Sequence, residues 1–255
     1  MFKLNLISNL FLLFLCNVFF IKASAENFIR SHKAAYSLEL MYVSNKSQVH
    51  SLNGIMKISI KKVCDGWVFN QHTELDVKDR MGNQNKSEFR YSTWESSDYK
   101  KFRFLSISTL DGEETSHVEG YAFIEEDYGR IIFEYPEHSS LLISSETLFP
   151  MNHFFLTMKK DYVNNPLSNE LVFSGEDENS INLVSTFKKS FPNNNIIMVR
   201  SAYFSLSDFS EKPDSEVELM MFQDGLVNSV IFNYINYKLK GNLLEYEYLL
   251  EPNCK

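Results

Sequence analysis

The usual marks of catalysis are missing from this chain. It has six histidines, His32, His50, His72, His117, His138 and His153, and no two stand at metal-ligand spacing. They are expected as surface or capping residues. No HExxH, P-loop, GxGxxG or GxSxG elbow occurs. Acid clusters such as Glu113-Glu114 and Glu125-Glu126-Asp127 fall in or beside turn sequences, without an EF-hand frame. Ser144-Ser145 lies upstream of His153, but no elbow or placed acid makes a triad of them. No catalytic residue, metal site or cofactor is expected.

Positive charge is scarce too. Lys and Arg number 25 against 33 Asp and Glu, a net charge of −8 with His neutral. Such a surface argues against nucleic acid and anionic headgroups as partners, but not against a lipid held by its acyl chain. A redox-active CxxC is absent. No low-complexity stretch divides the chain. Beyond the N-terminus, no segment reaches the apolar length of a membrane helix.

The N-terminus is different. Met1-Phe2-Lys3 precedes an apolar run from Leu6 to Ile21, and Ala23-Ser24-Ala25 follows. This reads as a secretory signal peptide over residues 1–25, cleaved between Ala25 and Glu26; an uncleaved anchor is the alternative. Cys16 follows Leu13-Phe14-Leu15, not the small residue that lipidation needs, so it belongs to the discarded run. Losing Lys3 and Lys22 takes the net charge to about −10 on a single domain over 26–255.

What is present is alternation. Tyr36, Leu38, Leu40 and Tyr42 share one face, with Ser37 and Glu39 on the other. Met56, Ile58 and Ile60 alternate with lysines and serine. After Asp65-Gly66, Trp67, Phe69 and Leu75 alternate with Asn70, His72, Glu74 and Asp76. Successive strand side chains point to opposite faces, so each run has one apolar and one wet face, as in antiparallel sheet. Aromatics make up 15%, which suits pleated surfaces. Asp111-Gly112 and Asp224-Gly225 read as hairpin turns. Further runs reach Tyr135, where Pro136 stops one, and continue from Leu171 to Ser174, Ile181 to Lys188 and Ile196 to Leu206. Then come Glu216 to Phe222, one long strand from Leu226 to Lys240, and a last one bearing Leu244, Tyr246, Tyr248 and Leu250. The fold class is all-β, mainly antiparallel: a barrel, a sandwich or a spiral-like sheet.

Residues 144–160 break the period. A turn before Pro150 and a short helix capped by Asn152 are expected, the helix plugging or covering the sheet. Two cysteines, Cys64 and Cys254, remain in the exported chain, and parity in an oxidising compartment predicts a structural disulfide.

Several stretches, in order, resemble the EipB family of periplasmic cell-envelope integrity proteins of alphaproteobacteria. They are Ser31-His32-Lys33-Ala34-Ala35-Tyr36-Ser37-Leu38, Gly54-Ile55-Met56, and Cys64-Asp65-Gly66-Trp67 with Asp76 and Gly82 downstream. Thr147-Leu148-Phe149-Pro150-Met151-Asn152-His153 is similar to the family's T-L-F-P-x-x-H segment. Phe173-Ser174-Gly175 resembles its F-D-G, with Ser174 a departure, and Asp224-Gly225-Leu226-Val227 resembles its N-G-V turn. The resemblance implies a β-spiral, an open barrel-like curled sheet, with a Cys64–Cys254 disulfide. It implies a periplasmic role in envelope integrity and stress resistance rather than a known reaction, and a TPR-repeat protein as partner.

The expected function is therefore non-enzymatic support of the envelope by binding a protein partner, from a monomer. The alternative is a carrier of lipid or lipoprotein acyl chains. Its candidate lining is Tyr36, Leu38, Leu40, Trp67, Phe69, Phe154 and Phe155, which could equally be plain core.

Overall fold

The computed structural model describes residues 29–159, 166–191, 195–206 and 211–254. The cleavage residues Ala23, Ala25 and Glu26 lie outside them, as does Lys160. The alternating stretches form β1 (His32–Val43), β2 (Val49–Val63), β3 (Gly66–Asp79), β4 (Gln84–Ser96), β5 (Lys101–Leu110), β6 (Glu113–Ile124) and β7 (Gly129–Tyr135), and β8 (Ser139–Ile143) comes next. Helix α1 (Pro150–Lys159) follows. Then come β9 (Leu167–Phe173), β10 (Ile181–Phe191), β11 (Ile196–Ser205), β12 (Ser215–Phe222), β13 (Val227–Tyr234) and β14 (Tyr237–Tyr248).

These strands make one antiparallel sheet in the order β8-β7-β6-β5-β4-β3-β2-β1-β14-β13-β12-β11-β10-β9. The first and last strands meet in its middle, where His32 pairs with Tyr248 and Leu38 with Gly241. The free edges are β8 and β9, consecutive in the chain and joined through α1. The sheet does not close. It curls until β9 lies inside its own far wing. Phe173 of β9 meets Phe104 at 5.2 Å, Phe102 at 6.0 Å and Phe133 at 6.3 Å, all near right angles. Edge-to-face pairs of this kind add about 0.5–1.5 kcal/mol each beyond burial. The Tyr91 hydroxyl donates to the Ser174 carbonyl across the same overlap. A spiral, not a sandwich or a closed barrel, is the architecture.

Local signals explain the turns. Asp111 and Gly112 both have positive φ, 53° and 86°, the primed-turn geometry that matches strand twist. Several expectations need correction. The helix begins at Pro150 rather than Asn152; proline suits the first helical position because its missing N–H has no partner there. Strand β8 lies beyond Pro136 in a stretch without clear alternation. The run from Leu226 to Lys240 is two strands, turning at Ile235-Asn236 without a glycine signal. Leu244 and Tyr246 are 58% and 52% exposed. A bulge sets Leu244 apart: Ala35 pairs with Glu245 and Tyr36 with Leu243, leaving Leu244 unpaired, while Tyr246 opposite Ala34 keeps the parity of Tyr36. Leu250 lies past the strand's end, exposed.

Candidate functional site

The curl partly surrounds a half-open cavity of about 620 Å³. Its walls are inward-facing residues of period two: Tyr36 on β1, Met56 and Ile58 on β2, Phe69 on β3, Tyr91 on β4, Val199 on β11, Val217 and Leu219 on β12, Val230 and Phe232 on β13. The volume lies in the usual range for ligand pockets, about 300–1,000 Å³.

Helix α1 seals one end. Phe155 packs against Trp67 at 5.1 Å and Tyr99 at 5.8 Å. Met158 packs into a cluster with Ile197, Val199 and Met221. Both helix ends are held from the sheet. Glu95 of β4, 1% exposed, accepts the Met151 and Asn152 backbone N–H groups at 2.8 Å each. Burial pushes its carboxyl up to about 8, against the pull of those two bonds. At the other end Lys188 of β10 donates from Nζ to the Thr157 carbonyl at 3.0 Å and the Met158 carbonyl at 2.7 Å. Lys188 at the carbonyl end suits the negative end of the helix dipole, while Glu95 serves the N-terminal N–H groups as a hydrogen-bond acceptor.

The opposite end of the cavity is polar. Glu176 follows β9, beside Asp177, with Asp214 and Glu216 at the start of β12. Tyr203 of β11 and Tyr234 of β13 border it. Glu176 is solvent-exposed at the hollow, and the protein nearby, with the Asp177 charge, shifts its carboxyl upward. Tyr203 is pushed up to about 12 by burial and by Glu176. Tyr91 is raised further for the same reasons, its burial dominating.

Of the candidate residues, Tyr36, Phe69 and Phe154 line the cavity. The Tyr36 hydroxyl donates to the Val227 carbonyl at 2.9 Å. Trp67 and Phe155 meet in the helix seal. Leu38 is core, clustered with Met56 and Val230. Leu40 is half-buried away from the lining. His32 is a correction: it is fully buried, its Nδ1 2.7 Å from the Arg30 carbonyl, and burial lowers its pKa. His153 faces the cavity with Nε2 3.3 Å from the Thr186 hydroxyl. Sequence reasoning missed Glu95 and Lys188. Their signal is an ion on the inward parity of a strand, Glu95 with Tyr91 and Thr93, Lys188 with Val184 and Thr186.

Residues 23–250 match the EipB-like family. The chain belongs to that family. The cell envelope integrity protein EipB of Brucella abortus (strain 2308) is 21% identical over 244 residues, covering 88% of this chain and 86% of the relative. A crystal structure of a β-barrel-like protein of a domain of unknown function from Brucella abortus superposes with a TM-score of 0.80 at 19% identity. It covers 87% of this chain and 99% of that one, and the likeness shows a shared fold.

Two EipB-like motifs acquire physical reasons here. In Thr147–His153, Leu148 exchanges backbone hydrogen bonds with β9, and Phe149 stacks on Phe102 at 4.9 Å. Pro150 then opens the helix. In Cys64-Asp65-Gly66-Trp67 the turn carries Cys64 to Cys254, with Cα atoms 5.4 Å apart, a disulfide distance. The pair pins the C-terminal tail onto the β2–β3 turn.

Proposed function

We propose that this chain is an exported, non-catalytic periplasmic protein that supports envelope integrity by holding an apolar chain in the hollow of its curled sheet. One observation carries the reading: the sheet's inner face is only partly filled by its own side chains and borders a half-open hollow of about 620 Å³ walled mainly by aliphatic and aromatic groups. A pocket needed only for stability would be filled, since voids cost packing energy. The family relationship supplies the envelope role, because a relative is named for it. The signal-peptide sequence supplies the route out.

The test is native mass spectrometry of the mature protein purified without detergent from cells with intact membranes. A discrete adduct is expected. Val230→Trp, which fills the hollow, should lose the adduct and fail to restore detergent resistance to a deletion strain. A wild-type protein that carries nothing and takes up no dodecanol would end the reading.

A protein partner is the second reading, and a separate feature favours it. Edge strand β8 has an unpaired side, and Leu141 and Leu142 are 42% and 61% exposed on it. Such an edge accepts an added strand. Leu142→Lys should then abolish pulldown of a periplasmic partner, such as a TPR-repeat protein, and leave the cavity adduct intact.

A further inference from the structure

The walls of the hollow differ in chemistry. Strands β2 and β13 bring it Met56, Ile58, Val230 and Phe232, whereas β11 brings it Ser201, Tyr203 and Ser205. Ser201 stands on the inward parity between Val199 and Tyr203 and is 6% exposed. Its cross-strand partner is Thr186 of β10, which is 0% exposed, and the two hydroxyls lie 3.1 Å apart. The Thr186 hydroxyl also lies 3.3 Å from Nε2 of His153 on α1. The three side chains form a buried relay, and its two outer members, His153 and Ser201, line the cavity. A hydroxyl has one hydrogen to donate and two lone pairs. Where Thr186 donates to His153, it accepts from Ser201, and Ser201 is left with lone pairs alone. Where Thr186 donates to Ser201, the Ser201 hydrogen is left over. In both directions Ser201 keeps a hydrogen-bonding role that no second partner fills among the described residues. An unfilled role beside an apolar wall is where a pocket fixes the polar group of a ligand.

We propose that the occupant is an uncharged, hydroxyl-bearing amphiphile, its hydroxyl bonded to Ser201 at the end of the relay and its chain along the apolar wall. The inference rests on the apolar-chain reading above and adds the group that fixes where the chain sits. A hydroxyl both donates and accepts, so it completes the relay whichever way the hydrogens run. A carboxylate only accepts and an ammonium only donates. Either ion would also leave water beside Met56 and Ile58, and no Lys or Arg is among the described residues lining the cavity to meet an anion. The hollow thus selects a neutral head as well as an apolar tail.

Four radiolabelled probes with one tail separate the two claims: decanol, 1-chlorodecane, decanoate and decyltrimethylammonium. The mature, disulfide-bonded protein is dialysed to equilibrium against each, below its micelle concentration. Wild type is expected to take up decanol and chlorodecane, and to bind decanoate and decyltrimethylammonium more weakly than decanol. Ser201→Ala removes the hydroxyl. It should weaken decanol about three- to tenfold, the worth of one neutral hydrogen bond, and leave chlorodecane unchanged. Ser201→Thr keeps the hydroxyl and should keep the decanol affinity. Ser185→Ala, on the opposite face of β10, should change neither compound. Decanol binding that survives Ser201→Ala, an equal loss for decanol and chlorodecane, or an ionic probe held more tightly than decanol overturns the hydroxyl inference while the apolar-chain reading stands. A wild-type protein that takes up neither decanol nor chlorodecane overturns both.

Discussion

Replacing Glu95 by glutamine asks whether burial or the helix end governs that carboxyl. The side chain is 1% exposed and accepts two helix N–H groups at 2.8 Å each. Those bonds and the positive helix end favour the anion. Burial favours the neutral acid and prevails, moving the carboxyl from an ordinary 4.5 to about 8. A group that is neutral in the fold but ionised in the unfolded chain makes stability fall as pH rises. The loss starts near 4.5 and is complete near 8. At about 1.4 kcal/mol per unit, the span from about pH 5 to about pH 8 removes about 4 kcal/mol. Glutamine has the same shape and no proton to lose. It surrenders one accepted bond, a cost of about 1–3 kcal/mol at every pH. Glu95→Gln is therefore expected to be less stable than wild type at about pH 5 and at least as stable at about pH 8. Urea unfolding followed by far-ultraviolet circular dichroism, at both pH values, measures the difference. Other titrating groups are common to both proteins and cancel. A gap that does not change with pH would mean that the carboxyl is ionised throughout, and would refute the dominance of burial.

Three further outcomes are expected. Cys64→Ser and Cys254→Ser each open a loop spanning 190 residues, worth about 5 kcal/mol in the chain-entropy account, and should lower the melting temperature equally. The denatured, unreduced mature protein should titrate no thiol; a serine variant melting like wild type would count against the bond. Lys188→Met strips the Thr157 and Met158 carbonyls of their buried donor, costing about 2–3 kcal/mol. Hydrogen exchange should then speed up in α1 before β2 and β3, and uniform exchange would contradict the clamp. Gly175→Ala forces a side chain onto a φ of +71° with its Cβ 2.6 Å from the Phe104 ring. A loss of about 2 kcal/mol or more in denaturant titration is expected, and an unchanged midpoint would mean that β9 does not press on β5.

Several elements were legible because their causes are local. Tyr36, Met56, Ile58, Trp67 and Phe69 could be assigned to the inner face, since period two depends only on neighbours in the chain. Asp111-Gly112 and Asp224-Gly225 identified hairpins because few residue pairs tolerate the backbone there. Strand β8 and the Ile235-Asn236 turn lacked such marks. Leu244 was misread because one bulge against Ala35 and Tyr36 leaves it unpaired, although Tyr246 and Tyr248 beyond it share the face of Ala34 and His32. Glu95 and Lys188 sat in plain view on inward parity, but their helix partners lie 56 and 31 residues away.

The sequence by itself determined most of the strand pattern, the Asp111-Gly112 and Asp224-Gly225 turns, the helix and which cysteines could meet, because each follows from alternation, backbone preference or parity. Only the tertiary structure decided that the sheet curls past closure, that β1 and β14 meet at its centre, and that α1 is clamped across one end of a hollow. Curvature accumulates over all fourteen strands and their bulges. Whether the inner face meets itself or leaves a space is a sum over distant contacts, such as Tyr91 with Ser174 and Phe104 with Phe173, that no local pattern records.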